Sequence, residues 1–488
     1  MPKRTAIIDI GSNSARMAIF EKSSHHAFHL IHEVKGRVRI GEGAYNFGGI
    51  LQKPAMKRAF TTLEEFCSII KSYRCSKVLC LATSALRDAP NAKEFLQEVH
   101  QKLHLSIQII DGKKEAYYGA IGALNYLKKF DSAVTIDIGG GSTELAKIEN
   151  GKIIDTISLN VGTVRLKELF FDKKAPLTDI QAYLNNEVNK VPDSFKCDNA
   201  IAIGGTLRSL AKIIMERTQY PLKTVHAFEY DINDESPLVD AIVKADVLEL
   251  KNFGVRKDRF DTMREGCIIF QSLYEKLSIK RIITSGAGIR EGAYLHNLLR
   301  KQHSIFHPEF KLSLRSFKDR FGFTEKDSLY MKKLTETLFD ALSPIHQLNA
   351  TYKYELGIAA ELHTIGTKLG FYQNHLHSFY FVINNLNYGF SHQEKVLIAT
   401  LIKHHANKLP TEQDLLLYQT LLPNLQTVQW LSFLLNLVKV LNSDMSNAHM
   451  SFSYQNHTLT IETSKTLFLA REQIKQLVKP ASFAIIIK

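Results

Sequence analysis

The chain has 488 residues, 45% of them hydrophobic and 23% charged, which is ordinary for a folded soluble protein; at about 150 residues per domain it predicts roughly three domains. Lys and Arg number 62 against 49 Asp and Glu, giving +13, so the surface favours polyanionic partners such as polyphosphate, nucleotides or nucleic acid. No block of five or six consecutive basic residues marks a nucleic-acid tail, and no run of 18 apolar residues predicts a membrane span.

The apolar stretch Ala6-Ile7-Ile8 that follows Lys3-Arg4 is too short for a signal peptide. The five cysteines, Cys67, Cys75, Cys80, Cys197 and Cys267, are odd in number and form no C-x-x-C pair, which predicts reduced thiols and a cytoplasmic location.

Taken in chain order, the first strands fall at 5–10, 15–21 and 28–34, followed by a helix at 54–72, a strand at 77–83, a helix at 91–103, a strand at 106–111 and a further helix. The second half opens in the same way, with strands at 133–138, 142–148 and 152–159. Helices at 163–171 and 178–190, a strand at 199–204, a helix from 206, a strand at 281–285 and a helix ending near 300 complete it. Three strands followed by alternating helices and strands predict a mixed-sheet α/β lobe. The polar segment 301–325 predicts a boundary. Beyond it, helices are expected at 327–342, 352–369, 375–386, 391–406, 412–419 and 426–442, then a hairpin (451–454 and 458–462) and a last helix near 470–478.

An internal repeat organises this pattern. Residues 8–14 read IDIGSNS and residues 136–142 read IDIGGGS; at the same 128-residue offset Ala18 matches Ala146 and Glu21 matches Glu149. Two similar lobes with a cleft between them follow from the duplication. Phosphate oxygens need close backbone N–H groups, which Gly11-Ser12-Asn13-Ser14 and Gly139-Gly140-Gly141-Ser142 can supply. Asp9 and Asp137, at the strand ends just before these loops, can hold a hydrated Mg²⁺. Glu144 lies on the same strand face as Ser142 and is a second candidate carboxylate for the metal. Glu115 falls in the first turn of an amphipathic helix with Asp111 as its predicted N-cap, where it could deprotonate water, or simply favour the helix N-terminus electrostatically. Gly204-Gly205-Thr206 and Ser285-Gly286-Ala287-Gly288 each end a strand and open a helix, weak signals for nucleotide or phosphate contact. Arg39, Arg87 and Arg259 could bind phosphates or be surface charges.

These residues carry a resemblance. The segments AIIDIGSNSARMAI (6–19), GRVRIGEG (36–43), LATSALRDAPNAKEFL (81–96), IDGKKEA (110–116), IDIGGGSTEL (136–145), NVGTVRLKELF (160–170), IAIGGTLRSLA (201–211) and TSGAGIREG (284–292) resemble the exopolyphosphatase/guanosine pentaphosphate phosphatase family, within the actin, sugar kinase and chaperone ATPase superfamily. The resemblance implies an actin-like (ribonuclease H-like) fold and hydrolysis of the terminal phosphoanhydride of polyphosphate, or of pppGpp to ppGpp in the stringent response, with Mg²⁺. It implies Glu115 as general base, Asp137 and Glu144 as metal and water-positioning carboxylates, the two loops and Arg87 as phosphate ligands, and Arg259 near the guanosine. One departure is Lys114, where the family often has a first acidic residue. A homodimer is also implied, with no membrane and no specific nucleic acid as partner.

Residues 303–488 hold 11 of the 19 histidines and resemble the long members' helical extension, related to HD phosphohydrolases, through His346, AAELHTIG (359–366), His375, His377-Ser378 and KHH (403–405). Thr364 follows His363, and Asn442 stands where a later Asp is expected. A hydroxyl and an amide are poor replacements for anionic ligands, so a metal-free scaffold is expected.

The sequence therefore predicts lobe I at 1–127, lobe II at 128–302 and an all-α HD-like domain at 303–488. Two rival readings remain: an ATP-dependent kinase of the superfamily, and a non-catalytic ppGpp or pppGpp sensor.

Overall fold

The computed structural model describes residues 3–307, 310–322, 325–404 and 408–488. Two compact units divide the chain, Met1–Leu312 and Ser313–Lys488. Residues 303–307 and 310–312, placed by the sequence with the helical domain, sit in the first unit.

The first unit contains two sheets. In lobe I, β1 (Arg4–Ile10), β2 (Ala15–Lys22) and β3 (Phe28–Gly36) form an antiparallel meander. After α1 (Lys53–Ser72), β4 (Lys77–Ala82) returns parallel to β1. Past α2 (Ser84–Arg87) and α3 (Ala92–Leu103), β5 (Ile107–Ile109) is parallel to β4, which gives the order β3-β2-β1-β4-β5. Then comes α4 (Gly112–Tyr126), and the plan repeats. β6 (Ser132–Ile138), β7 (Thr143–Glu149) and β8 (Lys152–Leu159) form the second meander. Next come α5 (Thr163–Leu166), continued by a π-helical turn at Lys167–Phe171, α6 (Leu177–Val188), β9 (Asn199–Ile203) and α7 (Gly204–Arg217).

The stretch 218–280, undivided in the sequence reading, holds β10 (Glu229–Asp231), α8 (Ile232–Lys244) and α9 (Met263–Leu277), before β11 (Arg281–Thr284) and α10 (Ile289–Leu298). The second sheet runs β8-β7-β6-β9-β11-β10. Without the antiparallel edge strand β10, it repeats the first sheet: the ribonuclease H-like plan of an actin-like fold, present twice.

The two closing helices exchange places. α4 follows the strands of lobe I but packs on β6, β7 and β8, and α10 packs on both α4 and β1. Small residues permit this: a Cβ on Gly122 would lie 2.8 Å from the Gly288 carbonyl oxygen, too close for any side chain. Ala120 and Ala123 are fully buried against Ala146 and Ile203 of lobe II. Glu115, one turn earlier on the same helix, is thereby delivered from the end of lobe I to the face of lobe II.

The second unit is mostly helical, with long helices at Glu325–Ala341, Tyr352–Leu362, Asn374–Asn385, His392–Lys403 and Leu425–Leu441 around a core that buries Trp430 and Phe433. The expected helical domain also carries one small sheet. β12 (Met450–Gln455) and β13 (Thr458–Thr463) form the predicted hairpin, but β14 (Ala484–Ile487) adds to β13 in parallel, making a three-stranded sheet. The predicted helix 352–369 ends at Leu362, because Ser378 closes the turn by donating to the His363 carbonyl and accepting from the Gly366 amide, each at 2.8 Å. The polar boundary segment includes a helix, Leu312–Phe321. No described helix is long and apolar enough to cross a membrane, and all five cysteines carry free thiols.

Phe270 on α9 is fully buried in the lobe II core. Phe270→Ala is expected to cost about 3–5 kcal/mol, read as a fall in the urea midpoint of unfolding; a loss under about 1 kcal/mol would contradict this packing.

Candidate active site

The two glycine loops are built alike. The Gly11 amide donates to the Ser14 carbonyl at 3.1 Å, and the Gly139 amide to the Ser142 carbonyl at 3.0 Å. Each loop is supported from behind. The carbonyls of Ser12 and Asn13 accept from the amides of Gly41 and Arg39, both at 3.0 Å. Those of Gly139 and Gly140 accept from Thr163 at 3.0 Å and Val164 at 2.7 Å. A peptide plane that points its carbonyl one way points the following N–H the other. The amides of Asn13, Ser14, Gly140 and Gly141 therefore face away from these supports. The loops also approach each other: a Cβ on Gly140 would stand 2.9 Å from the Ser12 Cβ.

The cleft between the lobes is lined by Asp9, Gly11, Ser12, Asn13 and Ser14 from one loop and Asp137, Gly139, Gly140, Ser142 and Glu144 from the other, together with Glu115, Gly204, Gly205, Thr206 and Arg259. It thus gathers nearly every residue singled out from the sequence. Two candidates stand behind the lining. Gly141 packs toward Ser84 and Ser12, and Arg87 lies beside Glu115. Arg39 is not on the cleft wall; it pairs across the lobes with Asp261, which also accepts from Arg37 at 2.8 Å.

Strand register sets the chemistry. In β1–β2, Asp9 stands opposite Arg16; in β6–β7, Asp137 stands opposite Glu144. Arg16 and Glu144 are the same position of the repeat, so the duplication carries a cation in one lobe and a carboxylate in the other. Glu144 accepts from the Ser158 hydroxyl at 2.8 Å. Arg87 Nη1 donates to Glu115 Oε2 at 2.9 Å and to the Ile110 carbonyl at 3.2 Å. Asp111 is the N-cap of α4, accepting from the Lys114 amide at 2.7 Å, so Glu115 enters the cleft from the first turn.

Five carboxyls line this space, Asp9, Glu115, Asp137, Glu144 and Glu291, and burial raises the first four. Burial pushes Asp137 up to about 6, with Arg208 opposing, and pushes Asp9 above its usual range. Glu144 and Glu115 are raised by burial as well; the neighbouring Glu144 charge lifts Glu115 further, and Arg87 draws it back. Asp9 Oδ1 is buried with no hydrogen-bond partner.

Cations occupy the rest of the wall: Arg16, Lys35, Arg208, Arg259 and Arg290. Burial, with Arg259 and Arg16 beside it, pulls Lys35 down to about 8. Beyond Gly205 a second recess is lined by Arg16, Arg208, Lys212, Arg256 and Arg259. Gly204 has φ +88°, and a Cβ there would come within 2.6 Å of Asp137 Oδ1, so only glycine fits. Arg208, one turn into α7, donates to the carbonyls of Ser285 at 2.7 Å and Ala287 at 3.1 Å and so joins the two weaker glycine turns. Arg16, Lys35, Arg208 and Arg290 are not among the candidates named from the sequence. The only signal for them was position: Arg16 as the repeat partner of Glu144, and Arg208 and Arg290 just after glycine turns.

In the second unit His346 and His363 are buried in the core, while His375, His377 and His404 are only part-buried. His346 donates or accepts at both ring nitrogens, with the Phe339 carbonyl at 2.8 Å and the Leu348 amide at 2.9 Å. His363 bonds the Ala360 carbonyl at 2.8 Å, and burial lowers it to about 4. Asn442 bonds Asn447 through both ends of its amide. His405 lies outside the described residues.

Residues 18–301 match the Ppx/GppA phosphatase family and residues 311–477 match Ppx/GppA phosphatase, domain III. A guanosine-5'-triphosphate,3'-diphosphate pyrophosphatase of Pseudoalteromonas translucida (strain TAC 125) is 28% identical over 414 residues, 83% of this chain and 81% of that protein. The crystal structure of the Aquifex aeolicus member of the Ppx/GppA family is 27% identical, with a TM-score of 0.53, covering 62% of this chain and all of that one. An exopolyphosphatase structure from Cytophaga hutchinsonii, 21% identical with a TM-score of 0.56, covers 61% of this chain and 98% of its own and shares the fold.

A carboxyl raised in the folded state favours folding at low pH, and that advantage is lost as pH rises from its unfolded value through its folded one. For Asp137 the window runs from 3.8 to about 6. Asp137→Asn in metal-free buffer should therefore exceed the native protein in stability at pH 8, by on the order of 3 kcal/mol, with the gap closing by pH 4. A gap that widens on acidification, in thermal or urea unfolding, would contradict the assignment.

Proposed function

Since the chain belongs to the Ppx/GppA phosphatase family, we propose that it hydrolyses the terminal phosphoanhydride of inorganic polyphosphate or of guanosine pentaphosphate and releases orthophosphate. The observation that carries the reading is Glu115, a buried carboxylate held by Arg87 at 2.9 Å and set on the wall of a cleft between two amide-bearing loops. Buried general bases with raised pKa are suited to taking a proton near neutral pH.

In this reading the last phosphate lies between the loops at 11–14 and 139–142, its oxygens taking the amides of Asn13, Ser14, Gly140 and Gly141. Glu115 accepts a proton from a water whose oxygen bonds the terminal phosphorus as the bridging P–O bond breaks. The shortened chain departs with the bridging oxygen. Lys35, Arg16, Arg208 and Arg259 offset its remaining charge, and the recess beyond Gly205 gives it room. That many cations lining one cleft favour a polyanion over a neutral acceptor, which is the specific ground for preferring hydrolysis of a phosphate chain to a kinase reading.

The residues present also fit Mg²⁺. Asp137 and Glu144 would hold it, with Asp9 beside them, whose Oδ1 is buried without a partner. Among the described residues no three His, Cys, Asp or Glu side chains converge on one point. That is compatible with an ion that takes one or two carboxylates and completes its shell with water and substrate phosphate. Bound there, Mg²⁺ would neutralise charge on the phosphate oxygens.

Phosphate release from long-chain polyphosphate and from pppGpp, measured in parallel with Mg²⁺, separates the two substrates. Glu115→Gln is expected to lower kcat on the better one by about 10²–10⁴-fold while leaving its binding nearly unchanged. Turnover close to that of the native protein would overturn the general-base role.

A further inference from the structure

Arg165, on α5 of lobe II, makes three contacts, two of which reach lobe I. Its Nε donates to the Gly141 carbonyl of the second phosphate loop at 2.8 Å. Its Nη2 donates to Asp88 Oδ2 of lobe I at 2.7 Å, and its guanidinium lies 4.5 Å from the centre of the Tyr45 ring, also in lobe I. Only 15% of the side chain is exposed.

Asp88 has a second cation within reach. Its Oδ1 stands 3.6 Å from Nε of Arg87, the residue whose Nη1 binds Glu115. Arg87 therefore sits between two carboxylates, Glu115 on one side and Asp88 on the other. A carboxylate engaged by one guanidinium is a weaker partner for a second, because its charge and lone pairs are already in use. With Arg165 in place the geometry is divided: Arg165 takes Asp88, and Arg87 is left to Glu115. Without it, Asp88 is free to turn onto Arg87 and draw it from Glu115.

We propose that Arg165 is a positioning residue for the hydrolysis: by occupying Asp88 across the cleft it reserves Arg87 for Glu115, so that the general base is set only while the lobes are closed. The same side chain holds the second phosphate loop through Gly141, which ties loop placement and base placement to one group. A parallel clasp, in which Glu168 accepts from the amides of Gly43 at 2.7 Å and Tyr45 at 3.2 Å, holds this seam of the two lobes together. The inference rests on Glu115 being the general base.

The test is a variant cycle on kcat and KM, with polyphosphate or pppGpp, whichever is turned over faster. Arg165→Gln keeps an amide that can reach the Gly141 carbonyl but removes the charge that engages Asp88. It should lower kcat about tenfold or more and change KM by less than about threefold. Asp88→Asn alone should keep kcat within about threefold, and Asp88→Asn combined with Arg165→Gln should recover to within about threefold of the native protein. The recovery also reports that the variants fold.

A plain tie between the lobes gives the opposite pattern: Asp88→Asn loses as much as Arg165→Gln, and the double variant is no better than either. That pattern, a failure of the double variant to recover, or native kcat in Arg165→Gln overturns the proposal. Glu115→Gln assayed alongside keeps the two claims apart. If it is inactive while the cycle fails, only the role of Arg165 falls; if it is active, the base assignment falls with it.

Discussion

Two strand pairs in the same register, 128 residues apart, set Asp9 opposite Arg16 and Asp137 opposite Glu144. Everything at the site depends on that pairing. It puts acidic groups at the floor of a cleft, where burial makes each carboxylate costly to ionise until a cation or hydrogen-bond donor compensates it. The duplication alone would produce a symmetric site. The exchange of a carboxylate for an arginine at one repeat position makes it directional, with an acidic end at Asp137 and Glu144 and a basic end that begins at Arg16.

The exchanged helices complete the arrangement. α4 could have packed on its own lobe, and Glu115 would then have stayed away from the second loop. Glycine and alanine along α4 let it sit on the lobe II sheet and against α10, so a residue encoded at the end of the first repeat lies on the face of the second. Lobe closure is held by side chains of modest individual strength: Asp261 with Arg37 and Arg39, Arg165 with Asp88, and Glu168 with two backbone amides. Partly exposed pairs of this kind contribute on the order of 1 kcal/mol each.

Much of this was legible in the sequence because it is local. The repeat IDIGSNS and IDIGGGS fixed the loops, the strands before them and the existence of two lobes. Asp111 as N-cap placed Glu115 in a first turn. What escaped the sequence reading is non-local. Arg208 and Arg290 become part of the site only because α7 and α10 point one turn into the cleft, and Lys35 only because β3 ends there. The undivided stretch 218–280 hides α9, whose apolar residues Met263, Cys267, Phe270, Tyr274 and Leu277 do follow helical spacing but lie behind long polar turns. β14 was missed because AIII at 484–487 is too short to declare a strand without its partner β13. The resemblance implies Arg87 as a phosphate ligand; its additional place beside Glu115 depends on how α2 and α4 meet.

Attack of water on the terminal phosphorus is followed by running one turnover in ¹⁸O-labelled water and analysing both products by mass spectrometry. Each orthophosphate released should carry one ¹⁸O atom, and the shortened chain should carry none. Label in the shortened chain, or release of pyrophosphate in place of orthophosphate, would contradict such an attack.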